Sequence, residues 1–338
     1  MRHRNKHLFV SALTGNGLCS FWDDVLADLR RLYFLVGGSP GEVSTFLRMI
    51  GHVLSERGLS VIYCHRPGSR LALEGLVIDS LGAAVQDGAC KKLYRISPHR
   101  SLCVVDVEFP CKGQQRRELL EGQRDDCEAV MLLEEANRLW KEICLCPPCD
   151  VCSWFEGDSG WLPQEVLEKP SRIRRFFAGS LSAEGVFDFI DHLTSGCSKR
   201  YYLSGVPGRG GPVMQRVLLE GIIRRWEAEA YYSFLDLRFP VVLIFPEIAL
   251  AVVDGTSHFA PSSWAGDAIW ELEGVRGETR NLEPAAEIEG IQAKLNELLK
   301  AAGSALSCTW QNAGATGVTW EDAEAFVSRF LVETAVSV

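Results

Sequence analysis

Two kinds of hydrophobic pattern alternate along the chain. Short apolar runs bounded by glycine, proline or charged residues predict β-strands, at 32–36, 60–64, 76–85, 200–204 and 241–253. Apolar residues at helical spacing predict amphipathic helices, first at Phe46, Leu47, Ile50, Val53 and Leu54 and then at Val213, Val217, Leu218, Ile222 and Ile223. Nearly continuous apolar strands suit a sheet that is covered on both faces. The pattern therefore predicts an α/β fold with mainly parallel sheets flanked by helices.

Charged, helix-forming segments follow each set of strands, at 114–144 and 284–302, and a last amphipathic helix is predicted at 320–332. Between the two sets lies a stretch rich in cysteine, proline and glycine, from residue 144 to 163. Such a composition is typical of a loop that joins two folded units.

The pattern of the first half recurs in the second. Residues 7–21 align with 175–189 without a gap, and the same offset of 168 pairs Gly37 with Gly205. Farther on, 74–88 aligns with 241–255 after one deletion, so that Asp87 meets Asp254. Chance matches rarely keep glycine, aromatic and aspartate positions in step over so long a stretch. We therefore expect two homologous domains, at 1–150 and 169–338, joined by a linker at 151–168.

Composition supports this division. At about 150 residues per domain, 338 residues correspond to two domains. Apolar residues make up 47% and charged residues 23% of the chain, which excludes disorder as its main state. The longest apolar run, 241–253, contains Pro246 and Glu247 and is shorter than the ~20 residues of a membrane-spanning helix. No membrane partner is therefore expected.

Charge and cysteine content indicate the environment. The net charge of −9 repels a phosphate backbone, so no nucleic-acid partner is expected. The basic N-terminus is followed by an apolar stretch that is too short for an export signal. Twelve cysteines without such a signal fit a reducing compartment, and we expect a cytoplasmic location.

A glycine-rich loop between a predicted strand and a predicted helix occurs in each half. This is the context of a phosphate-binding P-loop, G-x-x-x-x-G-K-[ST], because backbone N–H groups at the start of the helix converge on an anion. The first loop, 37–45, reads GGSPGEVST and has Glu42 and Val43 in place of the second glycine and the lysine. The second, 205–212, reads GVPGRGGP and has Gly211 and Pro212 in place of the lysine and the hydroxyl residue.

These loops resemble those of a family of tandem P-loop proteins, usually described as ATPases or nucleotide-kinase-like, in which GGPGTGKST follows a first strand and a DGTxPH-like segment follows a later one. The matching residues are Gly37, Gly38, Ser44, Thr45, Gly205, Pro207, Gly208 and Gly210, and the later segment corresponds to 254–258 and, less closely, to 87–89. The resemblance covers both halves. It implies a P-loop fold that binds ATP or another nucleoside triphosphate with magnesium.

The chain departs from that family at the P-loop lysine, which both loops lack. Weak nucleotide binding and little or no hydrolysis are therefore expected, with Ser44 and Thr45 as the P-loop hydroxyls for magnesium. Arg209 is the cation of the second loop, and it is either a shifted phosphate ligand or a solvated loop residue. Asp87 and Asp254 end apolar strands, and each is either a carboxylate on the magnesium side or part of an Asp-Gly turn.

Cysteines are concentrated at the join between the halves. Cys144, Cys146, Cys149 and Cys152 lie within nine positions, and C-x₂-C steps bring thiolates to one zinc ion or iron–sulfur cluster. A redox dithiol and a thiol-rich linker without further function are the alternatives.

The sequence leaves the function open between classes. The first hypothesis is a P-loop-like nucleotide-binding protein with weak or absent ATPase activity. The alternatives are a non-catalytic scaffold or interaction protein of P-loop descent, with an unidentified protein partner, and a thiol or metal protein acting through residues 144–152.

Overall fold

A computed structural model describes most of the chain. The described residues are 5–92, 102–108, 122–144, 162–163, 165–168, 171–258, 263, 266–272, 285–306 and 318–335. Everything stated below refers to these ranges.

The first half contains eight strands and three helices. The strands are β1 (Lys6–Phe9), β2 (Ser11–Thr14), β3 (Gly17–Ser20), β4 (Arg31–Val36), β5 (Ile62–His65), β6 (Leu73–Ile78), β7 (Ala83–Asp87) and β8 (Cys103–Glu108). The helices are α1 (Trp22–Leu26), α2 (Pro40–Glu56) and α3 (Gly122–Cys144).

The second half repeats this order of elements and adds one helix at its end. Its strands are β9 (Ile173–Phe177), β10 (Gly179–Ser182), β11 (Gly185–Asp188), β12 (Lys199–Gly205), β13 (Ala228–Tyr232), β14 (Pro240–Phe245), β15 (Leu250–Asp254) and β16 (Ala268–Leu272). Its helices are α4 (Ile190–Thr194), α5 (Gly210–Ile223), α6 (Ala285–Leu306) and α7 (Trp320–Ala335).

Twelve strands form one continuous mixed sheet, in the order β16-β12-β15-β14-β13-β9-β1-β5-β6-β7-β4-β8. Strands β1 and β9 are antiparallel neighbours at its centre, so each half contributes six strands in the same relative order. Within each half, five strands run in one direction and only β6 or β14 runs against them. The protein is thus a mixed α/β fold with a large, mostly parallel sheet flanked by helices.

The halves also share local irregularities. A register shift lies at Cys64/His65 between β5 and β6, and another lies at Tyr231/Tyr232 between β13 and β14. Asp87 at the end of β7 is in register with Leu35 of β4, and Asp254 at the end of β15 is in register with Leu203 of β12. Positions can therefore be compared between the halves through the sheet itself.

Two apolar runs that the sequence pattern predicts as single strands, 76–85 and 241–253, each form a pair of antiparallel strands. That prediction was wrong because a short 3₁₀ turn interrupts each run, at Asp79–Leu81 and at Pro246–Ile248. The chain reverses after these turns at Gly82 and Ala249, which have φ of 58° and 48°. Both strands of each pair are buried along their whole length, so hydrophobicity continues through the turn.

The core lies on both faces of the sheet. Alternate residues of β4 belong to different clusters: Leu32 and Phe34 pack with α1, whereas Tyr33 and Leu35 pack with α2 and α7. Helix α5 covers β12 in the same way, and α3 and α6 pack against each other over the central strands. None of the helices in the described ranges has the length and apolar character needed to cross a bilayer.

The last helix contacts the half from which it is most distant in sequence. Phe326 and Phe330 of α7 stack on each other and contact Tyr33, whose hydroxyl donates a hydrogen bond to Glu333 at 2.8 Å. Residues 320–335, which the predicted boundaries assign to the second domain, thus complete the core of the first half.

Candidate functional site

The first glycine-rich loop ends in a capping box. The backbone N–H of Ser39 donates to Oε2 of Glu42 at 2.9 Å, and the N–H of Glu42 donates to Oγ of Ser39 at 3.4 Å. Pro40 occupies the first helical turn. A carboxylate of the chain itself therefore lies at the positive end of α2, where a phosphate-binding loop holds its anion.

The other first-loop residues predicted to bind nucleotide have local partners or none. Ser44 is buried, and its Oγ accepts a hydrogen bond from the N–H of Leu73 at 2.9 Å. The Thr45 hydroxyl donates to the carbonyl of Gly41 at 2.9 Å. Gly37, with φ of 103°, turns the exposed end of β4, and Gly38 follows it half-buried. The Ser44 hydroxyl thus connects α2 to β6, and the Thr45 hydroxyl bonds to the backbone of α2 itself.

In the second loop, the backbone N–H groups of Gly208 and Gly210 donate to Thr256, which follows the end of β15. Gly208 donates to the carbonyl of Thr256 at 2.9 Å, and Gly210 donates to Oγ1 of Thr256 at 2.8 Å. The N–H of Arg209 donates to the carbonyl of Val206 at 3.2 Å. These amides are the ones that a P-loop would present to phosphate. Here the chain itself accepts their hydrogen bonds.

The glycines of the second loop permit close packing. A Cβ atom on Gly210 would lie 1.9 Å from Oδ1 of Asp254, and one on Gly208 would lie 2.7 Å from Sγ of Cys144. A Cβ on Gly211 would lie 2.6 Å from the ring of Phe239. The absent side chains are therefore explained by contacts within the protein.

The remaining residues of this loop that were predicted to bind nucleotide are Gly205, Pro207 and Arg209. Gly205 ends β12 and Pro207 is half-buried. Arg209 is half-buried, and its Nε has no hydrogen-bond partner among the residues that the structure describes.

Asp87 and Asp254 occupy equivalent places at the carboxyl ends of β7 and β15. Oδ1 of Asp87 accepts a hydrogen bond from the N–H of Ala89 at 2.9 Å, and Oδ1 of Asp254 accepts one from the N–H of Thr256 at the same distance. Each aspartate thus forms the turn typical of an Asp-Gly pair. The hydroxyl of Thr256 adds a second hydrogen bond to Oδ1 of Asp254 at 2.6 Å.

The second carboxylate oxygen distinguishes the halves. Oδ2 of Asp87 accepts a short hydrogen bond from the buried guanidinium of Arg66. Nearby, Glu74 accepts hydrogen bonds from Ser11 Oγ and Trp22 Nε1, both at 2.9 Å. In the second half, the register of the sheet puts Ser233 in the place of Arg66 and Val241 in the place of Glu74.

Burial controls the ionisation of Glu74 and Asp254. It raises the pKa of Glu74 from 4.5 to about 7, although Arg66 and the two hydrogen-bond donors oppose the shift. It raises the pKa of Asp254 from 3.8 to about 6, opposed only by the hydrogen bonds from Thr256. Asp254 therefore has a hydroxyl and an amide as hydrogen-bond donors, whereas Asp87 has an amide and a cation.

A cavity of about 70 Å³ lies beside Asp254. Its walls come from the second loop, from the segments that follow β13 and β15, and from the end of α3; they include Asp254, Ser233, Asp236, Arg238, Cys144 and His258. In α/β sheets, ligands bind preferentially at this carboxyl edge of the strands. The cavity is therefore the candidate ligand site of the protein.

The polar groups of the cavity wall differ in charge. Arg238 forms a two-pronged ion pair with Asp236, with its shortest distance at 2.7 Å. Burial lowers the pKa of His258 to about 3 and raises that of Cys144 to about 12, so the imidazole and the thiol are both neutral near pH 7. The charge of ionised Asp254 thus dominates the cavity.

Of the four clustered cysteines, only Cys144 is described, and it lies at the end of α3 against Gly208. Cys146, Cys149 and Cys152 lie outside the described residues, as does most of the predicted linker 151–168. Within the described ranges, no group of three or more His, Cys, Asp or Glu side chains is arranged to hold a metal ion. The predicted zinc or iron–sulfur site stays a prediction.

Sequence reasoning missed polar groups that meet only in the folded chain. Nδ1 of His7 lies 2.9 Å from Nε2 of His65 where the halves join, with the ring of His192 nearby. Arg66 and Glu74 were also missed, although Glu74 interrupts an otherwise apolar strand and is aligned with Val241 by the internal repeat. This replacement of an apolar residue by a glutamate was the sequence signal that could have identified Glu74.

Compared with protein-family models, with curated proteins and with solved structures, the chain matches none.

Proposed function

We propose that this chain is a non-catalytic protein of P-loop-like architecture, in which two former nucleotide sites have been closed and the paired halves serve as a scaffold. One observation carries the proposal: in each half, the chain itself supplies the partners of the groups that a P-loop offers to nucleotide. Glu42 accepts the N–H of Ser39, and Thr256 accepts those of Gly208 and Gly210.

The missing lysines support the same conclusion. A hydrogen bond to a charged group contributes about 1.5–3 kcal/mol, and loss of one donor that stabilises a transition state slows a reaction by about 10²–10³-fold. Val43 occupies the lysine position of the first loop and is fully buried in the α2 core. Neither loop thus has a cation at that position, and appreciable ATP hydrolysis is not expected.

Repetition of the fold supports descent from a duplicated ancestor. The two halves share strand order, the register shifts between neighbouring strands and the aspartate turns at the sheet edge. A duplicated scaffold presents two related surfaces, and loss of chemistry in both halves leaves that arrangement intact.

Thermal unfolding with nucleotides tests the proposal. We expect the melting temperature of the full chain to stay constant with ATP or GTP, with and without magnesium. As a matched gain-of-function control, the double variant Glu42→Gly, Val43→Lys restores the P-loop pattern of the first loop and should make the melting temperature respond to ATP. A magnesium-dependent rise in the unaltered protein would contradict the proposal and favour nucleotide binding.

A separate experiment addresses the cysteine cluster. Zinc or iron in stoichiometric amount in freshly purified protein, lost in Cys149→Ser and Cys152→Ser, would favour a metal-binding function through residues 144–152. Absence of both metals would remove that alternative.

A further inference from the structure

The first half provides an internal template for the empty space in the second. Strand register aligns His65 with Phe9 and Tyr232 with Phe177, so Arg66 and Ser233 are the next residues at equivalent positions. In the first half, the guanidinium of Arg66 fills the space beside Asp87 and donates to its Oδ2. A serine side chain ends several bonds short of that place.

The shorter side chain of Ser233 leaves a buried aspartate in the wall of the cavity. Asp254 is only 4% exposed, and both Asp254 and Ser233 line the space of about 70 Å³. Oδ1 of Asp254 is occupied by Thr256, whereas Oδ2 accepts no hydrogen bond from any residue that the structure describes. A buried charge without a partner is costly, so the site favours a cation that can donate hydrogen bonds.

The other charges of the wall do not supply that cation. Arg238 is held by both oxygens of Asp236, and the two charges cancel. His258 and Cys144 are neutral near pH 7. The two serines of the wall, Ser233 and Ser257, carry uncharged hydroxyls. Among the described residues of the wall, the net charge is thus that of Asp254.

The size of the cavity limits the ligand. One water molecule takes about 30 Å³ in the liquid, whereas pockets for drug-sized ligands measure about 300–1,000 Å³. A space of about 70 Å³ therefore takes a group of a few heavy atoms. A planar guanidinium can offer paired N–H donors to a carboxylate. In the first half, one guanidinium nitrogen of Arg66 donates to Oδ2 of Asp87.

We propose that this cavity binds a small guanidinium compound, with the guanidinium group against Oδ2 of Asp254 and the hydroxyl of Ser233, in the place that Arg66 fills in the first half. The compound belongs to the class of short alkylguanidines. This inference is independent of the scaffold proposal, because it concerns a space beside the closed loop and uses none of the loop amides.

The experiment is a titration of the full chain with methylguanidinium chloride, followed by calorimetry and by thermal unfolding at constant ionic strength. We expect saturable binding and a higher melting temperature. Asp254→Asn should weaken binding at least tenfold, because it removes the negative charge. Asp191→Asn, which removes an exposed carboxylate of α4 outside the cavity, should leave the affinity within twofold.

A second variant fills the space. Ser233→Arg copies the first half and should abolish methylguanidinium binding; if it fails to fold, Asp254→Asn still decides the question. Tetramethylammonium chloride, which donates no hydrogen bonds, should give no saturable response. Absence of binding, equal binding by Asp254→Asn, or tighter binding of methylammonium than of methylguanidinium would each overturn the proposal.

Discussion

The two carboxyl edges of the sheet have the same backbone and different interiors. Asp87 and Asp254 end equivalent strands and form the same turn, but Arg66 pairs with the first, whereas no cation among the described residues donates a hydrogen bond to the second. The first edge is closed by a side chain of the chain itself, whereas the second retains a cavity. The comparison shows that two sheet edges with the same backbone can differ in their interiors, one filled by a side chain and the other left with a cavity.

The largest effect on stability is expected from removing Arg66, whose side chain fills the carboxyl edge of the sheet in the first half. Arg66→Ser leaves Asp87 and Glu74 buried without a cation, and loss of one partner of a buried ion pair costs about 3–5 kcal/mol. Urea unfolding measures the loss, and millimolar methylguanidinium should restore part of it. Ser233→Ala, at the equivalent place in the second half, is the control and should change stability little. A cost below about 1 kcal/mol for Arg66→Ser would mean that the pair does not hold this edge together.

Neutralising each aspartate should have opposite effects in the two halves. The pKa of Asp254 is about 6 in the folded chain, against 3.8 for an unperturbed aspartate. Ionisation of this carboxylate therefore destabilises the fold increasingly as the pH rises from about 4 to 6. Above pH 6 the destabilisation stays at its full value. Asp254→Asn should therefore stabilise the ligand-free protein by about 2–3 kcal/mol at pH 7.5, and Asp87→Asn should destabilise it. Unfolding free energies measured from pH 4 to 8 check both signs. Destabilisation by both variants would mean that the carboxylates are equivalent.

Ligand binding in the second half should depend on pH. Guanidinium stays charged throughout, and ionisation of Asp254 with a pKa of about 6 makes binding about tenfold weaker at pH 5 than at pH 7.5. The neighbouring groups are Asp236 with Arg238, which form an ion pair, and His258 and Cys144, whose pKa values of about 3 and about 12 lie outside this range. Calorimetry at both pH values measures the ratio, and an affinity that does not change would exclude Asp254 as the anion.

The smallest effect concerns the first loop. Glu42→Ala removes the carboxylate that accepts the N–H of Ser39 and should cost about 1 kcal/mol, as loss of a helix cap does. Glu42→Gln keeps an acceptor oxygen and should retain most of that stability. Urea midpoints of the two variants separate the outcomes. If Glu42→Ala is as stable as the unaltered chain, the capping box does not account for a glutamate at this position.

Much of the fold was readable from the sequence. The α/β class and helices α2, α5 and α7 follow from apolar spacing, and the structure confirms them. The antiparallel pairs β6–β7 and β14–β15 could not be predicted. Because these strands are buried along their whole length, the sequence shows no alternation of apolar and polar residues that would indicate where the chain reverses. Ala249 also adopts a left-handed conformation without any glycine, asparagine or aspartate to signal it.

The site was less predictable than the fold. The pattern Ser39-Pro-Gly-Glu42 is a capping-box signature, yet the comparison with a P-loop treats Glu42 only as a replacement of the second glycine. The pairing of Arg66 with Asp87 depends on strands that meet only in the sheet. The cavity depends on Cys144 of α3, and no spacing in the sequence brings that helix end to Gly208.

A crystal structure of the full chain grown with methylguanidinium chloride tests the central comparison most directly. We predict a planar ligand whose nitrogens lie about 2.7–2.9 Å from Oδ2 of Asp254, while Arg66 keeps the equivalent place beside Asp87. An empty cavity at saturating ligand, or a guanidinium bound beside Asp87 instead, would contradict the account.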